Sequence, residues 1–325
     1  MAKSVLNNLR FHNEQTAFDY VEKQLWPNGP VCPHCDATGE KIGKLSGKTT
    51  RAGLYKCYAC RKPFTVRIGT IFEDSHLPLR LWLQAIHLMC ASKKGISTRQ
   101  LQRMLGCGMK TAWHLGHRIR EAMAGELPGK TRGTLGGGGK IVEMDETYFG
   151  RAEEMHVSDQ RKGRPYTKRG KYKNNRAVIA LVERGGSVRS FHAAVATQWE
   201  IEKILAANVA PRTRLHTDES GLYNNALSYA NRHETVKHTA GEYVRGDAHT
   251  NTLESYYSVF KRGMKGTYQH CREKHLHRYA AEFDFRYNTR VKLGVNDVER
   301  EAFAVQGAKG KRLTYQTIDR AETEA

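Results

Sequence analysis

Long apolar runs are missing from this chain of 325 residues. No stretch approaches the roughly 18 consecutive apolar residues that a membrane span needs, and mean hydropathy is −0.65, so no membrane partner is expected. The opening segment, MAKSVLNNLRFHNEQTAFDY, lacks the apolar core of a secretory signal, which predicts a cytoplasmic protein. Acidic residues are in short supply, 33 Asp+Glu against 53 Lys+Arg, for a formal charge of +20. A basic excess of that size argues against an enzyme of small metabolites. It suits a polyanion, of which nucleic acid is the commonest. Cysteine is sparse and odd in number at seven. Four of the seven fall in two tight pairs, which points to metal rather than to disulfides. The length allows two or three domains, each with its own core.

Those pairs are Cys32-Pro-His-Cys35 and Cys57-Tyr-Ala-Cys60. Each knuckle presents two thiolates from one turn, and two knuckles complete a closed tetrahedral site for a structural Zn²⁺. Gly43, Gly47 and Gly53 lie among β-compatible residues between them, so Ile42 to Tyr55 reads as a hairpin, and Phe64 to Ile68 as a further strand. Residues 1–72 therefore form an N-terminal segment and zinc ribbon, on whose surface Lys56, Arg61, Lys62 and Arg67 are placed to meet phosphates. A four-thiolate site has no open position, so the metal's role is to fold a module too small for a core of its own. Cys90, Cys107 and Cys271 read as small, partly buried side chains.

From 73 to 125 the periodicity is helical. Leu81, Leu83, Ile86, Leu88 and Met89 mark one amphipathic helix, and Ser97 or Thr98 caps a second that carries Leu101, Met104 and Leu105. Gly106-Cys107-Gly108 makes a short turn before a third helix from Met109 through Met123. Two short helices around such a turn fit a helix-turn-helix pattern, with Lys110, Thr111, His114, Arg118 and Arg120 facing DNA. An ordinary helical hairpin with a solvated basic face is the plainer alternative. Residues 126–140 include four consecutive glycines, 136–139, and read as a flexible linker.

From 141 to 292 the pattern becomes α/β. Strands are expected at 141–149, 176–184 and 187–195, then a helix near 199–209, a strand at 213–217 and a helix near 220–231. Gly185-Gly186 turns the second strand into the third, and the unbroken apolar run Ala177 to Val182 suits a strand covered on both faces. Three strands, helix, strand and helix is the order of the ribonuclease-H-like fold, in which the first and fourth strands lie side by side. That order would bring Asp145 next to Asp218. A helix near 250–264 buries Leu253, Tyr256, Tyr257, Phe260 and Met264, and turns Asn251, Glu254, Ser258 and Lys261 to another face. Asp145, Asp218 and Glu254 can then hold two Mg²⁺ (or Mn²⁺) ions, with Lys261 two turns along the same ridge. Asn251 competes with Glu254 as the third ligand, whereas Glu146 and Glu219 should point away as strand neighbours of the aspartates. Between the first two strands, Arg161, Lys162, Arg164, Lys168, Arg169, Lys171 and Lys173 form a basic loop suited to tracking a DNA backbone. A helix over Leu276–Arg290 places Tyr279, Phe283 and Tyr287 in the core, and 293–325 is left as a C-terminal tail.

The chain as a whole is thus expected to be multidomain α+β: zinc ribbon, helix-turn-helix module, linker, then a ribonuclease-H-like α/β domain with a mixed sheet. It resembles the bacterial insertion-sequence transposases of the DDE superfamily that carry an N-terminal zinc ribbon. The resemblance covers roughly residues 15–292 and rests on CPHC and CYAC, MDETYFG (144–150), HTDESGLY (216–223), HTNTLESYYSVFKRG (249–263) and KHLHRYAAEFDFRYNTR (274–290). It implies that Asp145 and Asp218 are catalytic metal ligands and Lys261 the accompanying lysine, and it leaves Glu254 and Asn251 both open as the third ligand. It further implies a nucleoid-associated enzyme that binds the terminal repeats of a mobile element and cuts at its ends. The freed 3′-OH strands would then be joined to target DNA by a homo-oligomer assembled on double-stranded DNA.

Overall fold

The computed structural model describes residues 4–127, 133–151 and 175–314. The chain divides into two compact units, Met1–Gly129 with Val295–Ala325, and Lys130–Gly294.

In the first unit, α1 (Glu14–Leu25) starts at Asn13, whose side chain accepts from the Thr16 N–H, and buries Ala17, Phe18, Val21 and Leu25. The ribbon follows as β1 (Ile42–Lys44), β2 (Tyr55–Cys57) and β3 (Pro63–Phe64), an antiparallel sheet in that order. The hairpin between the knuckles matches its expectation, but the strand after them stops at Phe64, because Thr65 to Arg67 turn back on themselves. Three helices come next: α2 (Leu79–Ala91), α3 (Thr98–Leu105) and α4 (Met109–Met123). The α2 stripe is rotated from the expected one, so that Trp82 and Cys90 are buried rather than Leu81 and Leu88. Ser97 caps α3 by accepting from the Gln100 N–H, and α3 ends at Gly106 in the left-handed region at φ 64°.

The second unit is built on a five-stranded mixed sheet. Its strands are β5 (Ile141–Arg151), β6 (Asn175–Glu183), β7 (Val188–Ala193), β9 (Arg214–Asp218) and β10 (Arg232–Val236), in the order β10-β9-β5-β6-β7. The β5–β6 and β6–β7 pairs are antiparallel, whereas β5–β9 and β9–β10 are parallel. The β5–β9 pairing is the side-by-side arrangement expected of the strands that carry Asp145 and Asp218. β6 shows why its sequence is apolar throughout. Ala177, Ile179 and Leu181 join one core with α5 (Gln198–Asn208), and Val178, Ala180 and Val182 join another with α6 (Asn251–Gly263) and α7 (Leu276–Asn288).

Two expectations for this unit are corrected. Residues 220–231 form two short 3-10 turns, Gly221–Tyr223 and Ala226–Tyr229, rather than a helix. Ser220 accepts from the Leu222 N–H, a local bond that competes with helix propagation. Nor do residues 133–140 form the flexible linker expected over 126–140, of which 128–132 lie outside the described residues. Leu135–Gly136 forms β4 and pairs with β8 (Val209–Ala210), and the Gly137 N–H donates to Thr213 Oγ1 at 2.9 Å. Gly136 to Gly139 all take positive φ, which glycine adopts at no steric cost.

The chain then returns to the first unit. Val295 onward is more than a tail, because Asp297–Gln306 forms α8, started by an Asn296–Glu299 capping box. Among the described residues, no helix is long and apolar enough to cross a membrane.

Candidate functional site

The four predicted zinc ligands come together. Cys32, Cys35, Cys57 and Cys60 place all their sulfur atoms within 4.8 Å of one another, with Cys32–Cys60 at 3.7 Å and Cys35–Cys57 at 3.6 Å. Zn–S bonds of about 2.3 Å in a tetrahedron give S···S separations of about 3.8 Å, so the set fits Zn²⁺. Trp26, Tyr55 and Phe64 pack beside the cluster as its small apolar support. Lys56, Arg61 and Lys62 are exposed. Arg67 is not available to phosphates, because it donates to the carbonyls of Phe72, Ser75 and Leu77.

On the helical module, Lys110 and Thr111 are exposed and His114 is half-buried. Arg118 and Arg120 are corrections, being only 6% and 3% exposed. Arg118 lies over the Trp82 ring and donates to the Glu73 carbonyl, so it serves the core. Periodicity puts Arg118 on the face of Thr111, but α4 is buried on every side from Leu115 through Arg120, so only its start is exposed. Arg161, Lys162, Arg164, Lys168, Arg169, Lys171 and Lys173 lie outside the described residues.

In the second unit, register and face bring the predicted carboxylates together. β5 and β9 pair from Ile141↔Arg214 to Glu143↔His216, and Asp145 and Asp218 each stand two residues further on. Asp145 shares the β5 face of Glu143 and Phe149, against which α6 packs. The Tyr257 hydroxyl donates to the Asp145 carbonyl at 2.6 Å, tying helix to strand at that point. Burial of Leu253, Tyr256, Tyr257 and Phe260 sets the rotation of α6. At about 1.5–3 kcal/mol for each large apolar side chain, this outweighs the weak contacts that Glu254 makes with Thr250 Oγ1 at 3.4 Å and with His238 at 3.9 Å. Glu254 and Lys261 are thereby turned to the Asp145 side.

Charge coupling traces the same cluster. Burial raises the Asp145 carboxyl well above its ordinary range, and Glu146, Asp218 and Glu254 raise it further by repulsion. Asp218 is raised by burial, opposed by the Ser220 N–H and by His238. Burial lowers the Lys261 ammonium, and attraction to Asp145 opposes that. Asp145, Asp218 and Glu254 are not a single-ion cage, since among the described residues their ligand atoms do not all fall within 4.8 Å of one another. A pair of divalent ions sits about 3.5–4 Å apart, so ligands that bridge two ions need a wider spacing. Hard oxygen donors that repel one another are the donor chemistry that Mg²⁺ or Mn²⁺ takes. Asn251 opens α6 and is exposed. Among the described residues no hydrogen bond joins its amide to the three acids, and the acid coupled to Asp145 from this helix is Glu254.

The neighbours Glu146 and Glu219 have other partners. Glu146 accepts from the Tyr223 hydroxyl at 2.5 Å, on the sheet face opposite α6. Glu219 accepts from the N–H groups of His238 and Thr239 and so fixes the loop after β10. Several polar residues around the site were not anticipated. His238 lies 3.9 Å from Glu254 and also acts on Asp218. Below the aspartates, Glu143, Arg184 and His216 are linked, and the one signal for them was the period of two: Glu143 precedes Asp145, and His216 precedes Asp218, by one strand repeat. His216, Glu234 and Asp247 also come within metal-binding range of one another. Arg214 already provides their cation, at 2.9 Å from Glu234 and 2.7 Å from Asp247.

Comparison with known proteins matches residues 134–288 to an ISXO2-like transposase domain and residues 12–63 to a transposase zinc-ribbon domain. A protein of Halobacterium salinarum, described as an uncharacterized protein in transposable element ISH50, is 30% identical over 260 residues, covering 78% of this chain and 84% of that protein. Among solved structures, the Mos1 strand transfer complex aligns over 64% of this chain and 76% of that one, at 9% identity and a TM-score of 0.20. The Mos1 transposase paired-end complex with left transposon end aligns over 70% and 80%, at 10% identity and a TM-score of 0.19. Structural likeness at that level supports no inference.

Proposed function

The chain belongs to the ISXO2-like transposases with an N-terminal zinc ribbon, and we propose that it cuts DNA at the ends of an insertion sequence and joins the freed 3′-OH strands to target DNA. The observation that carries this reading is the coupling of Asp145, Asp218, Glu254 and Lys261 around one face of a mixed sheet. The strand order and pairing support a ribonuclease-H-like catalytic unit. Asp145, Asp218 and Glu254 would hold two Mg²⁺ ions, which when bound activate the attacking oxygen and stabilise the leaving one in an in-line displacement. Lys261, half-buried beside Asp145, would hold a non-bridging phosphate oxygen and neutralise charge as it grows. Tyr257 keeps the Asp145 backbone fixed while DNA is bound. His238, next to both Asp218 and Glu254, is placed to orient the Glu254 carboxylate. The ribbon's Lys56, Arg61 and Lys62 and the start of α4, with Lys110 and Thr111, would contact the terminal repeats as a helix-turn-helix reader. One site acts on each element end, so the active form would be an oligomer that pairs two ends.

The test is a strand-transfer assay with pre-cleaved element ends, target plasmid and Mg²⁺. Joined products are expected from the wild type. Asp145→Ala and Asp218→Ala should each lose joining by at least about 10³-fold while still shifting repeat DNA on a gel. Cleavage without joining would make the protein a nuclease, and binding alone would make it a regulator. Glu254→Gln should be as damaging as the aspartate changes; full activity there would transfer the third-ligand role to Asn251.

A further inference from the structure

Beneath the three carboxylates lies a second layer of buried polar side chains. Glu143 and His216 face each other across the β5–β9 ladder. Their side chains are 0% and 1% exposed. Each stands one strand repeat before an aspartate, so Glu143 and Asp145 share one face, as do His216 and Asp218. Arg184, from the turn after β6, reaches both. Its Nε donates to Glu143 at 2.6 Å, and one terminal nitrogen lies 3.2 Å from His216 Nδ1. That nitrogen also donates to the His249 carbonyl at 2.8 Å, and the other donates to the Asp247 carbonyl at 2.7 Å. Asp247 and His249 belong to the segment that leads into α6.

Glu143 completes the connection. α6 has no side-chain cap from Thr250. In its place the Glu143 carboxylate accepts from the Leu253 N–H at 3.0 Å and the Thr252 hydroxyl at 2.9 Å. A negative group is favoured there, where the helix leaves N–H groups without intrahelical partners. The residue after Leu253 is Glu254. His216, accepting from Arg184 at Nδ1, carries its proton on Nε2 and donates it to Glu234 at 3.1 Å, which brings in β10.

We infer that Glu143, Arg184 and His216 are positioning residues, which hold β5, β9 and the first turn of α6 in the register that brings Asp145, Asp218 and Glu254 to one pair of divalent ions. The inference rests on the reading of those three acids as the ion ligands. An apolar layer could fill the same space and would often be at least as stable, because burying charges is costly. An apolar layer, however, would not fix a helix start to a strand at hydrogen-bond precision. Arg184 suits the task because a planar guanidinium can satisfy four partners at once, which an ammonium cannot.

The experiment measures Mn²⁺ affinity of the full-length protein by electron paramagnetic resonance, with thermal melting by circular dichroism on the same samples. Arg184→Lys keeps the charge but not the fork. Glu143→Gln keeps the shape but sets an N–H₂ against a donor, so either the helix cap or the Arg184 bond is lost. Both variants should remain folded and bind Mn²⁺ about 10–100-fold more weakly than wild type. The inference is overturned if both are folded with Mn²⁺ affinity within about twofold of wild type, or if both lose the fold, which would make the layer a folding element only. Asp145→Ala is the control: if it leaves Mn²⁺ binding unchanged, the ion-ligand reading fails first. If it abolishes binding while Arg184→Lys and Glu143→Gln do not weaken it, only the positioning role fails.

Discussion

Asp145 and Arg118 show how burial decides what a charged side chain does. Arg118 is enclosed against Trp82 and hydrogen-bonded to backbone, so its guanidinium works for the fold. Asp145 is enclosed among other carboxylates, with Lys261 attracted to it from α6, and its carboxyl is raised by burial and by repulsion from Glu146, Asp218 and Glu254. This has a sign for stability. Below the ordinary carboxylate range the group is protonated in both folded and unfolded chains. As pH rises from there through the raised value, the unfolded chain ionises first, and the metal-free fold loses stability. Asp145→Asn should therefore melt higher than wild type at neutral pH without divalent ions, by about 2–4 °C per kcal/mol relieved in a unit of this size. Added Mn²⁺ should raise the wild-type melting temperature and leave the variant's nearly unchanged. A variant that melts lower than wild type without metal would show that the cluster's repulsion is not what strains the site.

At the scale of elements, the glycine run before β5 is the clearest difference between composition and structure. A run of glycines reads as flexible because nothing in it can pack, yet Gly136 is held at φ +84° against Thr213. A Cβ there would meet Thr213 Oγ1 at 2.3 Å. Gly136→Ala should destabilise the second unit by about 1–3 kcal/mol, read as a lower urea midpoint at unchanged slope. A neutral result would mean that the β4–β8 pairing is dispensable. What the sequence made legible were the elements with strong periodicity. The α6 stripe from Leu253 to Met264 and the two-faced apolar strand β6 could be read because burial imposes a spacing on the chain. β10 was missed because Arg232-His-Glu-Thr-Val has no apolar alternation; only Val236 is buried. The site shows the same division. Asp145, Asp218, Glu254 and Lys261 could be proposed from strand ends and one helix face, and Glu143 and His216 are marked only by their spacing of two from the aspartates, whereas Arg184 and His238 depend on contacts between distant segments that no local pattern records.

For the whole molecule, the order of the chain matters more than its count of domains. The second unit, Lys130–Gly294, is inserted within the first, which is built from both ends of the chain. α8 is integral to that first unit. Glu301 is 0% exposed, accepts from Arg10 at 3.1 Å and lies 2.8 Å from His87 Nδ1. Arg300 donates to the Cys90 carbonyl at 2.9 Å. Gly307 approaches α4 so closely that a Cβ would lie 2.3 Å from the Ala122 carbonyl oxygen. Beyond it, Gly310 donates to the Gly69 carbonyl at 2.8 Å, and the Lys311 ammonium donates to the Glu121 carbonyl at 3.0 Å. Ending the chain after Gly294 would leave the buried Arg10 and His87 without their carboxylate. Breaking a buried pair from one side costs about 3–5 kcal/mol, before the lost apolar contacts of Ala304 and Val305 are counted. The truncated protein should lose hydrogen-exchange protection across α1, α2 and α4 and fail to bind terminal-repeat DNA. Protection in β5, β6 and α6, and Mn²⁺ binding, should persist, because every contact described for those elements lies within Lys130–Gly294. Normal repeat binding by the truncated chain would show that α8 covers the first unit without supporting it. Loss of protection in both units would show that the inserted unit does not fold independently of the segment that follows it.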